Sequence, residues 1–164
     1  TVWLIKPSID TRDGADIIRS RIGLQRSAQI ITPEQNVADE YHAAGKYDVI
    51  IADEAQFFTP EQIDQLRGIV DNEDIPVLCF GLRTDFLTRC FPGSKRLLEL
   101  ADSITEIKTV CACGHKATVN ARIGEDGRII TQGDQVFLGG NDSYVAMCHK
   151  CWADKIRVQQ SEET

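Results

Sequence analysis

The chain has 164 residues, 42% hydrophobic and 26% charged, the ordinary balance of a globular protein with one domain, or one domain and a small appendage. Its net charge of −7 argues against general binding of polyanions such as nucleic acid, which needs a basic face, but leaves room for a small nucleotide in a local pocket. No apolar run approaches the roughly 18 residues that a membrane-spanning helix needs.

In chain order, residues 2–6 (Val-Trp-Leu-Ile-Lys) read as a strand, and the chain opens so abruptly on this run that a preceding segment is expected. Residues 7–24 are polar, include Asp10-Thr11-Arg12-Asp13-Gly14, and read as a loop. A short strand is expected at 28–31. Thr32-Pro33-Glu34-Gln35 then carries the residues of a helix start, with Thr32 as N-cap and Gln35 at N3; Val37, Tyr41 and Ala44 follow at helical spacing and Gly45 ends the helix. Residues 47–52 form a continuous apolar run, suited to a strand covered on both faces.

Thr59-Pro60-Glu61-Gln62 repeats the cap pattern, and Ile63, Leu66, Ile69 and Val70 form the buried stripe of the helix that it opens. A strand is expected at 76–80, a helix at 94–101 and a strand at 104–108. This alternation of strand and helix predicts an α/β fold, with a parallel sheet and helices on both faces, over residues 1–108. After Thr109 short extended segments, paired glycines and paired cysteines replace that rhythm. A small zinc ribbon is expected at 109–155, followed by a polar tail at 156–164 that is frayed from Gln159 onward.

Four segments carry chemistry. The apolar run at 47–52 delivers Asp53 and Glu54 to a strand's C-terminal end, where open parallel sheets place their ligands. An acid at such an edge can hold Mg2+ between phosphates, and a second can accept the proton of an attacking hydroxyl. Alternatively the two acids simply begin a loop. The phosphate loop G-x-x-x-x-G-K-[ST] that would complete such a machine does not occur in the 164 residues.

Of six cysteines, Cys79 and Cys90 stand alone, while Cys111-Ala112-Cys113 and Cys148-His149-Lys150-Cys151 make two tight pairs. Four thiolates suit a structural tetrahedral Zn2+, with no open position for catalysis; His115 and His149 are possible substitutes, and free thiols or one disulfide are the alternatives. Gly139-Gly140-Asn141-Asp142-Ser143-Tyr144 is either a hairpin turn or a loop that closes its backbone over a small flat ligand. Phe80-Gly81-Leu82-Arg83-Thr84-Asp85-Phe86 follows a strand end; Leu82 and Phe86 make either an apolar slot for a base or two core anchors of a polar loop.

Taken in order, these segments resemble the zinc-containing thymidine kinases of the cellular and bacterial type, over nearly the whole chain, from about residue 2 to 152. Asp53-Glu54-Ala55-Gln56-Phe57-Phe58 is similar to that family's D-E-x-Q-F motif, Leu82-Arg83-Thr84-Asp85-Phe86 to its following loop, and Leu138-Gly139-Gly140-Asn141-Asp142-Ser143-Tyr144 to its thymidine-gripping lasso. The resemblance implies a phosphate-loop NTPase-like α/β domain plus a zinc ribbon, in a cytoplasmic homotetramer. It implies transfer of the γ-phosphate of ATP to the 5′-hydroxyl of thymidine, or of deoxyuridine, with Mg2+ and a structural Zn2+ held by Cys111, Cys113, Cys148 and Cys151.

By position, Glu54 resembles the catalytic base and Asp53 the magnesium-side acid, while Asp10 and Arg12 resemble residues facing the phosphates. Phe57, Leu82 and Phe86 resemble the walls of the thymine slot. Phe137, Gly139, Asn141 and Tyr144 resemble the lasso residues, and Arg122 a family arginine near the nucleoside. The family's phosphate loop precedes the segment that begins at Val2, so about 30–40 further residues, enough for a strand, the loop and its helix, are expected ahead of it. A zinc-ribbon binding or adaptor module that has lost catalysis is the rival reading. A nucleic-acid-binding ribbon would need a basic patch, which the mixed charges of 109–155 do not supply.

Overall fold

The computed structural model describes residues 1–8, 17–19, 25–136 and 142–164. The chain divides into two compact units, the first comprising Thr1–Arg83 and Phe91–Asp102, the second Thr84–Cys90 and Ser103–Thr164.

The first unit is built on a parallel sheet. Strand β1 is Val2–Pro7, and the short strands β2 (Ile17–Arg19), inside the stretch that reads as loop, and β3 (Gln25–Ser27), just after it, form a separate antiparallel pair. Strand β4 (Gln29–Ile31) is followed by helix α1 (Val37–Ala44), strand β5 (Val49–Ala52), a 3-10 turn at Ala55–Phe57, helix α2 (Pro60–Glu73), strand β6 (Val77–Cys79) and helix α3 (Pro92–Leu100). The sheet order is β4-β1-β5-β6, all parallel, so α1, α2 and their connections act as crossovers.

In-register pairing puts Trp3, Ile5, Ile31, Ile50, Ala52, Val77 and Cys79 on one face of this sheet. That face packs with Val37, Tyr41, Phe58, Ile63, Leu66 and Ile69 into the core of the unit. On the other face Leu4 and Ile51 are half-buried and Leu78 is 43% exposed. Among the described residues, therefore, only one face of the sheet is fully covered, where the apolar run at 47–52 reads as a strand covered on both.

Local chemistry sets the helix starts. Thr59 and Gln62 form a reciprocal capping box with Pro60 inside the first turn, as the sequence pattern requires. Helix α1 differs from expectation. Its N-cap is Asn36, whose side chain accepts from the N–H groups of Ala38 and Asp39, rather than Thr32. Thr32 to Gln35 form a separate turn, which Gln62 of α2 ties down by donating to the carbonyls of Thr32 and Gln35 at 2.8 and 3.1 Å. That long-range partner satisfies the turn outside the helix. Gly45, at φ 122°, closes α1 as expected.

In the second unit, β7 (Thr109–Val110) pairs antiparallel with β8 (Lys116–Ala117), and β9 (Val119–Ile123) with β10 (Ser143–Met147); helix α4 runs from His149 to Glu162. Cys111, Val119, Ala121, Ile129, Met147 and Cys148 form its core, with Trp152 and Ile156 of α4 against it. Two expectations fail here. Residues 104–108 are exposed and form no strand, because a β-prone run without a pairing partner has nothing to stabilise it. The stretch from Gln159, expected to fray, continues α4 as far as Glu162.

Candidate active site and metal centre

Asp53 and Glu54 stand at the C-terminal end of β5, both half-buried. The backbone N–H of Asp53 donates to the Ile5 carbonyl at 3.0 Å and that of Ala55 to the Phe80 carbonyl at 2.9 Å, so the two acids are pinned between neighbouring strand ends. Glu54 adopts a left-handed conformation, φ 50° and ψ 39°, which is uncommon for a non-glycine residue and turns the chain sharply into the 3-10 turn. A non-glycine residue held in that region costs of order 1–3 kcal/mol and persists where the surroundings over-determine it.

Gln56 is one residue that contributes to this. It is 2% exposed; its Nε2 donates to Glu54 Oε2 at 2.6 Å and its Oε1 accepts from the Leu82 N–H at 3.2 Å. The side chain therefore orients the Glu54 carboxylate and anchors the loop after β6 at once. Gly81 is required at that approach, since a Cβ there would lie 2.4 Å from Gln56 Oε1. Phe57 packs edge-on against Phe91, with ring centroids 5.5 Å apart, and Leu82 is 41% exposed. Lys6, 2% exposed at the end of β1, adds a buried cation to the same strand ends.

In the second unit a different cluster forms around Arg122. This arginine is 2% exposed on β9, its guanidinium carbon 3.8 Å from the centroid of the buried Phe86 ring. Its Nε donates to the hydroxyl of Tyr144, the residue paired with it on β10, at 3.1 Å, and a terminal nitrogen donates to the Asp134 carbonyl at 3.2 Å. Asp85 shapes the loop that carries Phe86: one oxygen accepts the N–H groups of Leu87 and Arg89, and the other accepts from Gln135 at 2.9 Å. Phe86 thus serves as one face of a cation–π contact, with the polar loop held by its neighbours.

The four paired cysteines converge. Gly114, at φ 94°, makes the knuckle turn after Cys113, with its N–H on the Cys111 carbonyl at 2.8 Å. Cys148 is the N-cap of α4 and Cys151 lies in its first turn, so the second pair sits at a helix N-terminus. Thiolates about 2.3 Å from a tetrahedral Zn2+ stand about 3.8 Å from one another. Here all four sulfurs lie within 4.8 Å of one another, and Cys113 and Cys148 are 3.7 Å apart, which fits that ion.

Backbone N–H groups of Cys113 and Cys148 hold the Cys111 thiol down at about 6, so it is a ready thiolate at neutral pH. The neighbouring thiols, Cys148 first, push Cys151 up to about 12. A divalent ion would displace that retained proton, so affinity should rise with pH. Of the two histidines considered as substitutes, His115 places Nδ1 3.3 Å from Cys113 Sγ, outside the four-sulfur set, and His149 packs against Trp152.

The family model described as thymidine kinase matches residues 1–152. The chain belongs to the thymidine kinase family. Among similar relatives, the thymidine kinase of Ruegeria pomeroyi is 46% identical over 155 residues, covering 93% of this chain and 78% of the relative. That of Aliivibrio fischeri is 46% identical over 152 residues, covering 91% and 79%. That of Legionella pneumophila is 48% identical over 149 residues, covering 88% and 71%.

For a thymidine kinase sequence, the residues that carry the resemblance fall in three places. Asp53, Glu54, Phe57 and Leu82 belong to the first unit, at or after strand ends of the parallel sheet. Phe86, Arg122 and Tyr144 meet in the second unit, and the four cysteines form their own cluster there. Asp10, Arg12, Phe137, Gly139 and Asn141 lie outside the described residues. Gln56, Asp85 and Lys6 were not singled out in the sequence. Gln56 stands inside the D-E-x-Q-F motif and Asp85 inside the Leu82–Phe86 loop, and those motifs are the available signals; Lys6 offers none beyond polarity in an apolar context.

Proposed function

We propose that the protein transfers the γ-phosphate of ATP to the 5′-hydroxyl of thymidine, and of deoxyuridine as a second acceptor, in pyrimidine salvage. The observation that carries this reading, in a chain of the thymidine kinase family, is the Glu54 carboxylate held in a left-handed turn at the end of β5 by Gln56.

Phosphoryl transfer passes through a loose transition state, so positioning and charge neutralisation dominate its catalysis. Glu54 is assigned as the base: it orients the attacking hydroxyl and takes its proton late, with Gln56 fixing one carboxylate oxygen. Asp53, a half-buried hard oxygen donor on the same edge, is of the type that holds Mg2+. When bound, Mg2+ neutralises charge between the phosphates. Asp10 and Arg12 are assigned to the phosphates by resemblance alone.

Phe57 and Leu82 on the first unit, and Phe86, Arg122 and Tyr144 on the second, are assigned to nucleoside binding, together with Phe137, Gly139 and Asn141. The division into a nucleotide-kinase part, 1–108, and a zinc ribbon carrying a nucleoside lasso, 109–155, belongs to the same proposal. So do a homotetrameric assembly and a cytoplasmic location; no described helix is long and apolar enough to cross a membrane.

The test is ATP-dependent formation of thymidine monophosphate by the intact enzyme. Product formation that requires Mg2+ and disappears with Glu54→Gln is expected. Turnover of the Glu54→Gln variant near that of the parent removes Glu54 from the base role, and no thymidine monophosphate from the parent overturns the function.

A further inference from the structure

Gln159 of α4 lies beyond residue 152, where the match to the family model ends, yet it makes one of the more specific contacts of the second unit. Its Oε1 accepts from the Ile129 N–H at 2.6 Å, and its Nε2 donates to the Ile129 carbonyl at 3.1 Å. The side-chain amide thus replaces a neighbouring strand: it satisfies both backbone groups of one buried residue, as a ladder partner would. Arg128 closes the contact from the other side, donating to the Gln159 carbonyl at 3.1 Å and pairing with Glu163 at 2.8 Å.

On its opposite edge the same segment pairs with β9. Ile129 bridges Ile123, the Gly124 N–H donates to the Arg128 carbonyl at 2.9 Å, and the Ile130 N–H donates to the Arg122 carbonyl at 2.8 Å. Residues 128–130 are therefore a third strand in function, held between β9 and one glutamine. Arg122 receives its backbone partner from this segment, and its side chain reaches Phe86 and Tyr144.

We propose that Gln159 is a positioning residue for nucleoside binding, acting through Ile129 and Ile130 on Arg122. The proposal rests on the assignment of Arg122 to the nucleoside site made above. It gives the C-terminal half of α4 a role: a helix fixed at one end by the cysteine cluster and at the other by Gln159 sets the register of the segment that backs Arg122. Without the amide, both Ile129 backbone groups lose their partner in a buried setting, and the segment shifts to find new ones.

Two variants test it in the intact enzyme. Gln159→Leu removes both bonds at similar volume, and Gln159→Glu keeps the acceptor for the Ile129 N–H and loses the donor. Gln159→Leu should raise the KM for thymidine about five- to tenfold while kcat and the KM for ATP stay within about twofold and zinc is retained, with Gln159→Glu between it and the parent. In an Arg122→Met background, Gln159→Leu should add little further change, since the path to the nucleoside is already cut.

An unchanged thymidine KM in zinc-loaded Gln159→Leu overturns the proposal. So do equal rises for thymidine and ATP, or a full further rise in the Arg122→Met background. If Gln159→Leu does not fold, Gln159→Glu carries the same comparisons. Arg122→Met with an unchanged thymidine KM is a different failure: it overturns the assignment of Arg122, and the proposal with it.

Discussion

The guanidinium of Arg122 sits over the buried ring of Phe86, its central carbon 3.8 Å from the ring centroid. A desolvated contact of this kind is worth about 2 kcal/mol or more. Arg122→Lys keeps the charge but loses the guanidinium over Phe86 and the fork that reaches Tyr144 and the Asp134 carbonyl. Thymidine affinity should fall about tenfold, or about 1.4 kcal/mol, with ATP affinity little changed. Calorimetric titration with each ligand checks this, and equal losses for the two would count against the assignment.

Glu54→Gln keeps the size of the side chain and an acceptor for Gln56 Nε2. Thymidine binding and melting temperature should therefore hold, while turnover drops at least about a hundredfold for want of a proton acceptor. Steady-state kinetics beside a binding isotherm separates the two quantities. A loss of binding in parallel with turnover would make Glu54 a structural residue.

What the sequence reveals about this fold divides by range. The capping box at Thr59 and Gln62 was legible because all of its partners lie within four residues. The cysteine cluster is legible because metal chemistry fixes the spacing of its pairs, and the place of Asp53-Glu54 at a strand end is legible because an apolar run leads up to them. The start of α1 was not: Thr32 and Asn36 are both good caps, and the choice is decided by Gln62, about thirty residues away. The run at 104–108 has strand-like residues but no partner strand. The end of α4 has a polar sequence suggesting a loose tail, and the bonds from Gln159 and Arg128 that hold it span about thirty positions. Likewise nothing local predicts that Arg122 meets Phe86, and although Gln56 stands inside the D-E-x-Q-F motif, nothing in the sequence says that its amide reaches both Glu54 and Leu82.

Gly93, at the start of α3, shows how little room lies behind the acidic edge. A Cβ there would stand 2.4 Å from the Phe58 carbonyl oxygen and 2.8 Å from that of Gln56, both backbone atoms. Neither can rotate away, so Gly93→Ala should cost about 3 kcal/mol and displace the turn that follows Glu54. Denaturant unfolding and turnover should both suffer. A variant of parental stability would show that α3 moves aside freely.

Cys148 has two duties, one sulfur in the four-thiol cluster and the N-cap of α4. Cys148→Ser retains a cap acceptor and replaces a soft ligand by a poor one. The variant should lose zinc, measured by elemental analysis, and thymidine affinity should weaken while the first unit keeps its stability. Parental zinc content and affinity in the variant would exclude a four-cysteine site.

Cys79 gives a prediction in pH. It packs against the core at the end of β6, and burial pushes its thiol up to about 11 from an ordinary 9.0. The folded state then keeps a proton that the unfolded chain releases between about pH 9 and 11. The contribution of Cys79 to stability is complete below pH 9 and declines as pH rises through that window, because deprotonation favours the unfolded chain. Denaturant midpoints should fall from pH 9 to 10.5 more steeply in the parent than in Cys79→Ala. The same burial makes Cys79 a poor nucleophile, whereas Cys90 is exposed. With zinc bound, an alkylating reagent at pH 8 should therefore modify Cys90 well before Cys79, as peptide mass spectrometry reads directly. Equal labelling of the two would mean that the Cys79 sulfur is open to water, and the predicted difference in pH slope should then vanish as well.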